Sequence, residues 1–169
     1  MDGSYAVLTL VLGLWDMFAN YCQSECLARR DTGSYYSVSA GSLWRREQQI
    51  GNELYFRADT GRMYGPFELT FGASLSSLND FWAGAGVIYD VPLGLNAGFV
   101  KLHAMGGIYD ATDGPVLGGP IEFRSGIEAG FEAQNGWRYA LSFDHRSSAG
   151  LYPDSSGVET LLMRLSVPF

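Results

Sequence analysis

Alternation of apolar and polar residues dominates the chain from residue 37 onward. Between residues 67 and 75, every odd position is apolar and the even positions are Glu, Thr, Gly and Ser. The same two-residue period returns in 81–89, 123–131 and 137–143, and in the final segment, 159–169. Because successive side chains of a strand point to opposite faces, this period predicts β-strands rather than helices.

These segments form a long series of similar strands. Two further stretches, 37–46 and 95–109, and a shorter one, 54–58, bring the total to about eight strands of roughly ten residues each. Turn-forming residues separate them at 59–61, 76–80, 92–94, 113–115 and 134–136. The length and alternation are typical of transmembrane barrels. The sequence therefore predicts an all-β fold, an eight-stranded antiparallel transmembrane β-barrel, over residues 29–169.

Alternation alone does not say which face meets lipid, because a soluble barrel that binds an apolar ligand also alternates. The composition favours the membrane. The polar face combines small residues with Glu and Arg, which suits a narrow, filled lumen. The only lysine is Lys101 beside ten arginines, and arginine is the better partner for ion pairs in a confined space. A net charge of −7 argues against a nucleic-acid partner.

Polar residues of the opposite face are predicted to pair inside the barrel, and tryptophans to lie at the membrane interfaces. The predicted lumen residues are Lys101, His103, Glu122, Arg124, Glu128, Glu132, Arg138, Asp144 and Arg146. The predicted interfacial residues are Trp15, Trp44, Trp82 and Trp137.

The N-terminal 28 residues differ from the rest. Residues 6–15, AVLTLVLGLW, are apolar but shorter than the roughly 20 residues of a helical span. Their length fits the core of a signal peptide, although Asp2 stands where a positive charge is expected. We interpret residues 1–28 as a signal-like or a retained segment. Cys22 and Cys26 form either a short disulfide or two free thiols, and we expect no metal or cofactor.

The last two predicted strands carry polar groups on their apolar face. His145, Ser147 and Glu159 occupy odd positions, as do the apolar residues of both strands. An antiparallel hairpin closed by residues 148–158 brings all three to one rim. A polar group facing lipid is costly and suggests function, and serine, histidine and carboxylate are the nucleophile, base and orienting group of acyl transfer. The alternative is strand-end residues that only meet headgroups or water.

The segment HRSSAGLYPDSSGVE, followed by a final strand ending in Pro168-Phe169, resembles the active-site hairpin of the outer-membrane lipid A 3-O-deacylases, the PagL-like family. The family pattern is matched in order and spacing by His145, Ser147, Ala149, Gly150, Pro153, Gly157 and Glu159. The resemblance implies an eight-stranded outer-membrane barrel that removes the ester-linked acyl chain at position 3 of lipid A through a Ser–His–Glu triad on its outer face. One position departs: the family has Asn after the nucleophile, where this chain has Ser148.

The resemblance also implies roles for neighbouring residues. The Ser148 hydroxyl and the Gly150 amide are candidate oxyanion donors, and Phe143, Tyr139, Leu161 and Met163 are candidate contacts for acyl chains. The implied partners are lipid A of lipopolysaccharide in the outer leaflet and the assembly machinery that reads the C-terminal Phe169; a homodimer is left open. The alternative function is a non-catalytic structural or adhesive barrel, for which Ser148 is the main support.

Overall fold

The computed structural model describes residues 4–23, 25–94, 96–152 and 156–169. It begins with an α-helix, α1 (Ser4–Asp16), and a π-helical turn, Met17–Tyr21. The strands that follow are β1 (Arg29–Asp31), β2 (Tyr35–Arg45), β3 (Gln48–Tyr64), β4 (Phe67–Ser76), β5 (Phe81–Asp90), β6 (Gly98–Asp110), β7 (Ile121–Glu132), β8 (Arg138–Ser147) and β9 (Val158–Pro168). Leu95, the predicted start of the fifth of the eight strands (β6 in the structure), lies outside the described residues.

Strands β2 to β9 form a closed antiparallel barrel. Each pairs with its neighbours along the chain, and β2 pairs with β9 to close the sheet. Closure satisfies the backbone groups that an open sheet edge would expose to lipid. The predicted eight-stranded barrel is confirmed, and the short β1 is an addition that pairs with the end of β3.

The barrel has two rims. The upper rim carries the β2–β3, β4–β5, β6–β7 and β8–β9 connections, and the lower rim carries the others together with Pro168. Along each strand, alternate residues face the lumen or the outside. On β8, Asp144 is buried inside, whereas Leu141 is exposed on the outer face.

One predicted turn, at residues 59–61, is wrong. β3 continues through it to Tyr64, with a bulge where its register against β4 shifts between Asp59 and Met63. Gly61 adopts a φ of 66°, and its amide donates to the carboxylate of Glu68 at 2.9 Å. A left-handed glycine serves a bulge as well as a turn. Past the bulge, this 17-residue strand continues beyond Asp59, where its pairing with β2 ends, and stays paired with β4 up to Tyr64.

Side chains fill the lumen. Glu53 on β3 receives Arg124 at 2.7 Å and Arg146 at 2.9 Å from the opposite wall, and Arg57 reaches Glu128 at 2.9 Å. All of these side chains are buried. Pairing of this kind offsets the cost of removing charges from water, as the alternation predicted.

An apolar cluster fills the upper part of the lumen. Its members are Leu43, Tyr55, Trp82, Met105, Tyr109, Leu117, Val158 and Leu162. The interfacial position predicted for Trp82 is therefore wrong. Both faces of β5 are apolar or glycine, so alternation did not distinguish the inside from the outside there.

The N-terminal segment packs on the outside of the barrel. Helix α1 contacts β5, β6 and β7. Cys22 and Cys26 form a disulfide, which decides between the two states left open by the sequence. Within the described part of the chain, neither α1 nor the π-helical turn combines the length and the hydropathy that a transmembrane helix requires.

Candidate active site

His145 and Glu159 lie directly opposite each other on β8 and β9. The imidazole Nδ1 is 3.3 Å from Glu159 Oε1. This contact follows from the hairpin register, because both residues sit at upper-rim ends of paired strands. A carboxylate at Nδ1 fixes the orientation and the tautomer of the ring.

Ser147 is the last residue of β8 and shares the outer face with His145. Both side chains line one cavity of about 860 Å³ on the outside of the barrel. Only 8% of Ser147 and 5% of His145 is exposed, so the cavity is their route to a ligand. The structure therefore brings the three residues predicted as a triad to one rim.

Gly157 lies against the imidazole of His145. A Cβ at this position would come within 2.3 Å of Cε1 of the ring, which is closer than atoms approach without displacement. The glycine permits the ring to lie between the β8–β9 connection and the barrel wall. This explains in physical terms why the motif has a glycine two residues before Glu159.

The backbone turns sharply after the nucleophile candidate. Ala149 and Gly150 have φ values of 52° and 80°, and both line the cavity with Ser147. The Ala149 amide donates a long hydrogen bond of 3.5 Å to Ser147 Oγ. This amide was not predicted from the sequence, because a left-handed conformation at an alanine cannot be recognised from the residue type.

The two predicted oxyanion donors lie in different surroundings. Gly150 borders the cavity. Ser148 is fully buried, and its hydroxyl has no hydrogen-bond partner within the described part of the chain. The described cavity lining does not include Ser148. The turn therefore places Gly150, but not Ser148, in the described lining of the cavity.

Two of the four predicted acyl-chain contacts lie next to the triad. Phe143 and Leu161 line a second cavity, of about 580 Å³, together with His145 and Glu159. Met163 is four residues from Glu159, or about 13 Å along the strand, and Tyr139 is six residues from His145, or about 20 Å. Both are exposed on the lower outer face.

The β2–β3 turn also borders the second cavity and was missed from the sequence. Trp44, Arg46 and Glu47 all contribute to its lining. Arg46 and Glu47 have φ values of 47° and 67°, a conformation that is uncommon for residues other than glycine. Positive φ at both positions is the geometry of a two-residue type I′ hairpin turn, here between the paired residues Arg45 and Gln48.

Two hydrogen bonds hold the β8–β9 connection at the upper rim. Arg45 donates to the hydroxyl of Ser156 at 2.9 Å, and Tyr152 accepts from the Ile121 amide at 3.4 Å. Pro153 of the motif lies outside the described residues. Where the structure describes the chain, no three His, Cys, Asp or Glu side chains cluster as a metal site would require.

The family model described as "Lipid A 3-O-deacylase (PagL)" matches residues 24–168. The chain belongs to the lipid A 3-O-deacylase family. Members are outer-membrane ester hydrolases, so the predicted family, enzyme class and location are confirmed. A search of curated protein sequences finds no match.

Solved structures agree on the fold. The crystal structure of the outer membrane enzyme PagL is 17% identical, with a TM-score of 0.64, over 80% of this chain and 99% of that one. A de novo designed transmembrane β-barrel is 12% identical, with a TM-score of 0.56, over 83% and 98%. Neisserial surface protein A (NspA) is 10% identical, with a TM-score of 0.55, over 84% and 99%. Identities this low show the fold alone.

Proposed function

We propose that this chain removes the ester-linked acyl chain at position 3 of lipid A through a Ser147–His145–Glu159 triad. The observation that carries the proposal is the contact between His145 and Glu159, beside a serine on the same outer cavity. These residues lie within the segment that matches the family. No cofactor is needed for this reaction.

The chemistry follows the general course of serine acyl transfer. Nε2 of His145 takes the proton of Ser147 as the serine oxygen attacks the ester carbonyl carbon. Glu159 stabilises the imidazolium that forms. The ester C–O bond then breaks, and His145 returns the proton to the departing sugar oxygen. A water molecule, deprotonated by the same imidazole, attacks the acyl-serine and releases the fatty acid.

The oxyanion of the intermediate needs hydrogen-bond donors near Ser147. We assign this role first to the amides of Ala149 and Gly150, which belong to the cavity lining. The Ser148 hydroxyl comes second because it is buried outside that lining. Backbone donors would keep the reaction possible although the family asparagine is absent.

Lipid A would approach sideways through the outer leaflet rather than through the lumen. The apolar cluster fills the lumen beside the triad, whereas the triad borders two cavities on the outer face. Phe143 and Leu161 in the second cavity would contact acyl chains of the lipid. Tyr139 and Met163 lie further down and would meet surrounding lipid tails, or the ends of long acyl chains.

We also propose that the outer-membrane assembly machinery recognises the C-terminal Phe169. The Phe169 ring is 62% exposed at the lower rim and stacks on Tyr36, with 3.8 Å between ring centroids. An exposed aromatic terminus fits recognition by the outer-membrane assembly machinery.

Mass spectrometry of lipid A tests the proposal. Purified lipid A is incubated with the detergent-refolded protein, with Ser147→Ala and with Ser142→Ala, a buried serine of the same strand that faces the lumen. We expect loss of one hydroxyacyl chain, specifically that at position 3, with the wild type and with Ser142→Ala. We expect a loss of activity of at least about a thousandfold with Ser147→Ala.

The outcomes separate the candidate functions. Cleavage that survives Ser147→Ala would contradict the proposed nucleophile. If folded wild-type protein cleaves neither lipid A nor nitrophenyl acyl esters, the non-catalytic barrel is favoured instead. Cleavage of the nitrophenyl esters alone would indicate an esterase with a different lipid substrate.

A further inference from the structure

Helix α1 contributes to the cavity beside Ser147, although it precedes the family match. The match begins at residue 24, whereas Ala6, Val7 and Leu10 line the same cavity as Ser147 and His145. One side of the cavity at the candidate active site is therefore formed by a helix that lies outside the residues matched to the family.

The position of α1 on the barrel follows from its sequence. Thr9 and Gly13, four residues apart, are buried, whereas Val11 and Trp15 on the other side are exposed. Small residues let a helix approach its neighbour closely in a membrane. At Gly13 the approach is so close that a Cβ would lie 2.3 Å from the Phe67 ring. The opposite side presents large apolar residues, which suits contact with lipid.

The upper end of α1 lies at the triad. The ring of Tyr5 makes an edge contact with Phe143, with 6.0 Å between centroids, and Phe143 precedes His145 by two residues on the same face. The helix thus extends from the active-site hairpin down toward Phe67 at the lower rim. It covers the strands next to β8 on the outer face.

Small residues on the barrel leave space under this part of the helix. Ala104, Gly106 and Ser125 face outward and line the cavity. One step lower, Tyr89 and Leu102 also face outward, yet they are only 4% and 2% exposed. They are therefore covered on the side where α1 packs. Val87 and Ala104 line the cavity, and Tyr89 and Leu102 lie two residues below them on the same strands, outside its described lining.

We propose that α1 is retained in the mature protein and forms the outer wall of a closed-ended pocket for the scissile acyl chain. Tyr89 and Leu102 form the floor, so the pocket limits the length of chain that Ser147 accepts. The inference rests on the proposed esterase function. The cavity is about 860 Å³ with α1 in place, within the range of roughly 300–1,000 Å³ for ligand pockets. The helix therefore acts as a wall rather than a plug.

The second cavity completes this arrangement. His145 borders both cavities, and the second one carries Arg46 and Glu47 at the upper rim. The scissile chain would occupy the cavity under α1, while the polar sugar and the remaining chains lie on the other side of His145. The ester bond would then lie between the two, at Ser147.

The first test asks whether α1 is present. The intact mass of protein purified from outer membranes should include residues 4–16. A mass that begins beyond residue 16 would overturn the inference, because the wall would be absent from the working enzyme.

The second test measures chain-length preference with nitrophenyl esters from butyrate to palmitate. Ala6→Phe narrows the pocket, and we expect the ratio of long-chain to short-chain activity to fall about tenfold or more. Leu8→Phe places the same ring on an exposed side of the same helix that does not line the cavity and should leave the ratio unchanged. Leu102→Ala lowers the floor and should shift the preference toward longer chains.

The results distinguish failure of this inference from failure of the esterase proposal. Active wild type with the same chain-length profile in Ala6→Phe and Leu102→Ala would overturn the pocket and leave the esterase standing. Wild type that is inactive on every ester would overturn both. If Ala6→Phe does not fold, Leu102→Ala alone decides the question. A shift of its activity toward longer acyl chains supports the pocket, and an unchanged chain-length profile overturns it.

Discussion

Two groups of serine, histidine and carboxylate lie on opposite sides of one strand. On the outside, Ser147, His145 and Glu159 form the candidate triad. On the inside, Asp144 accepts a hydrogen bond from Ser142 and lies 3.6 Å from His103 Nε2. Asp144 and His145 are consecutive residues, so the pleat of the strand assigns them to different groups.

The inner side chains are held by hydrogen bonds and an ion pair and are buried from solvent. Ser142 donates to the carboxylate rather than to the imidazole, and Arg124 holds Asp144 at 2.6 Å. All three inner side chains are at most 1% exposed. The outer group borders two cavities. The same residue types therefore serve packing on one side and, in our proposal, chemistry on the other.

Replacing each histidine by asparagine should give the largest difference in esterase rate between the two groups. His145→Asn removes the proposed base and should lower the esterase rate about ten-thousandfold, whereas His103→Asn should leave the rate within a few fold. Hydrolysis of a nitrophenyl ester by refolded protein measures both. Comparable losses in the two variants would contradict the division between outer and inner groups.

Removing the charge of each carboxylate should affect stability in the opposite order. The loss should be larger for the inner Asp144 than for the outer Glu159. Asp144→Asn leaves Arg124 with one fewer buried partner and should cost about 3 kcal/mol of unfolding free energy. Glu159→Gln affects a partly exposed contact and should cost less than about 1 kcal/mol. Urea unfolding in detergent, followed by tryptophan fluorescence, measures both. Equal costs would argue that the two carboxylates have the same role.

Substituting Gly157, which packs against the His145 ring, should have a smaller effect on the esterase rate. Gly157→Ala should displace the His145 ring and lower the rate about 10- to 100-fold, since small misplacements of catalytic groups are costly. Gly33→Ala, where the nearest atom to a new Cβ is 3.4 Å away, is the control at the lower rim. An unchanged rate in Gly157→Ala would show that the ring position is not critical.

The smallest effect concerns Ser148. If the amides of Ala149 and Gly150 hold the oxyanion, Ser148→Ala should lower kcat less than about tenfold. Loss of a true oxyanion donor costs about 100- to 1,000-fold. A loss of that size would assign the role to the Ser148 hydroxyl.

The sequence predicted those features that depend on the period of two. It predicted the barrel, the shared face of His145, Ser147 and Glu159 and their convergence at one rim, because an antiparallel hairpin brings the ends of its two strands together. The direct pairing of His145 with Glu159 comes from the structure. Prediction from the sequence failed at Trp82, where both faces of the strand are apolar, and at residues 59–61, where turn chemistry forms a bulge. The position of helix α1 beside Ser147 could not be predicted, because alternation within strands does not show which elements pack against the outside of the barrel.

The most direct test of the central claim is covalent labelling with a long-chain alkyl fluorophosphonate, followed by trypsin digestion and mass spectrometry. Cleavage after Arg138, Arg146 and Arg164 puts Ser142 and Ser147 in different peptides. We predict that the label attaches to Ser147 in the peptide 147–164 and that His145→Asn abolishes it. A label on Ser142 in the peptide 139–146, or no label on active protein, would contradict the assignment of the outer group as the catalytic site.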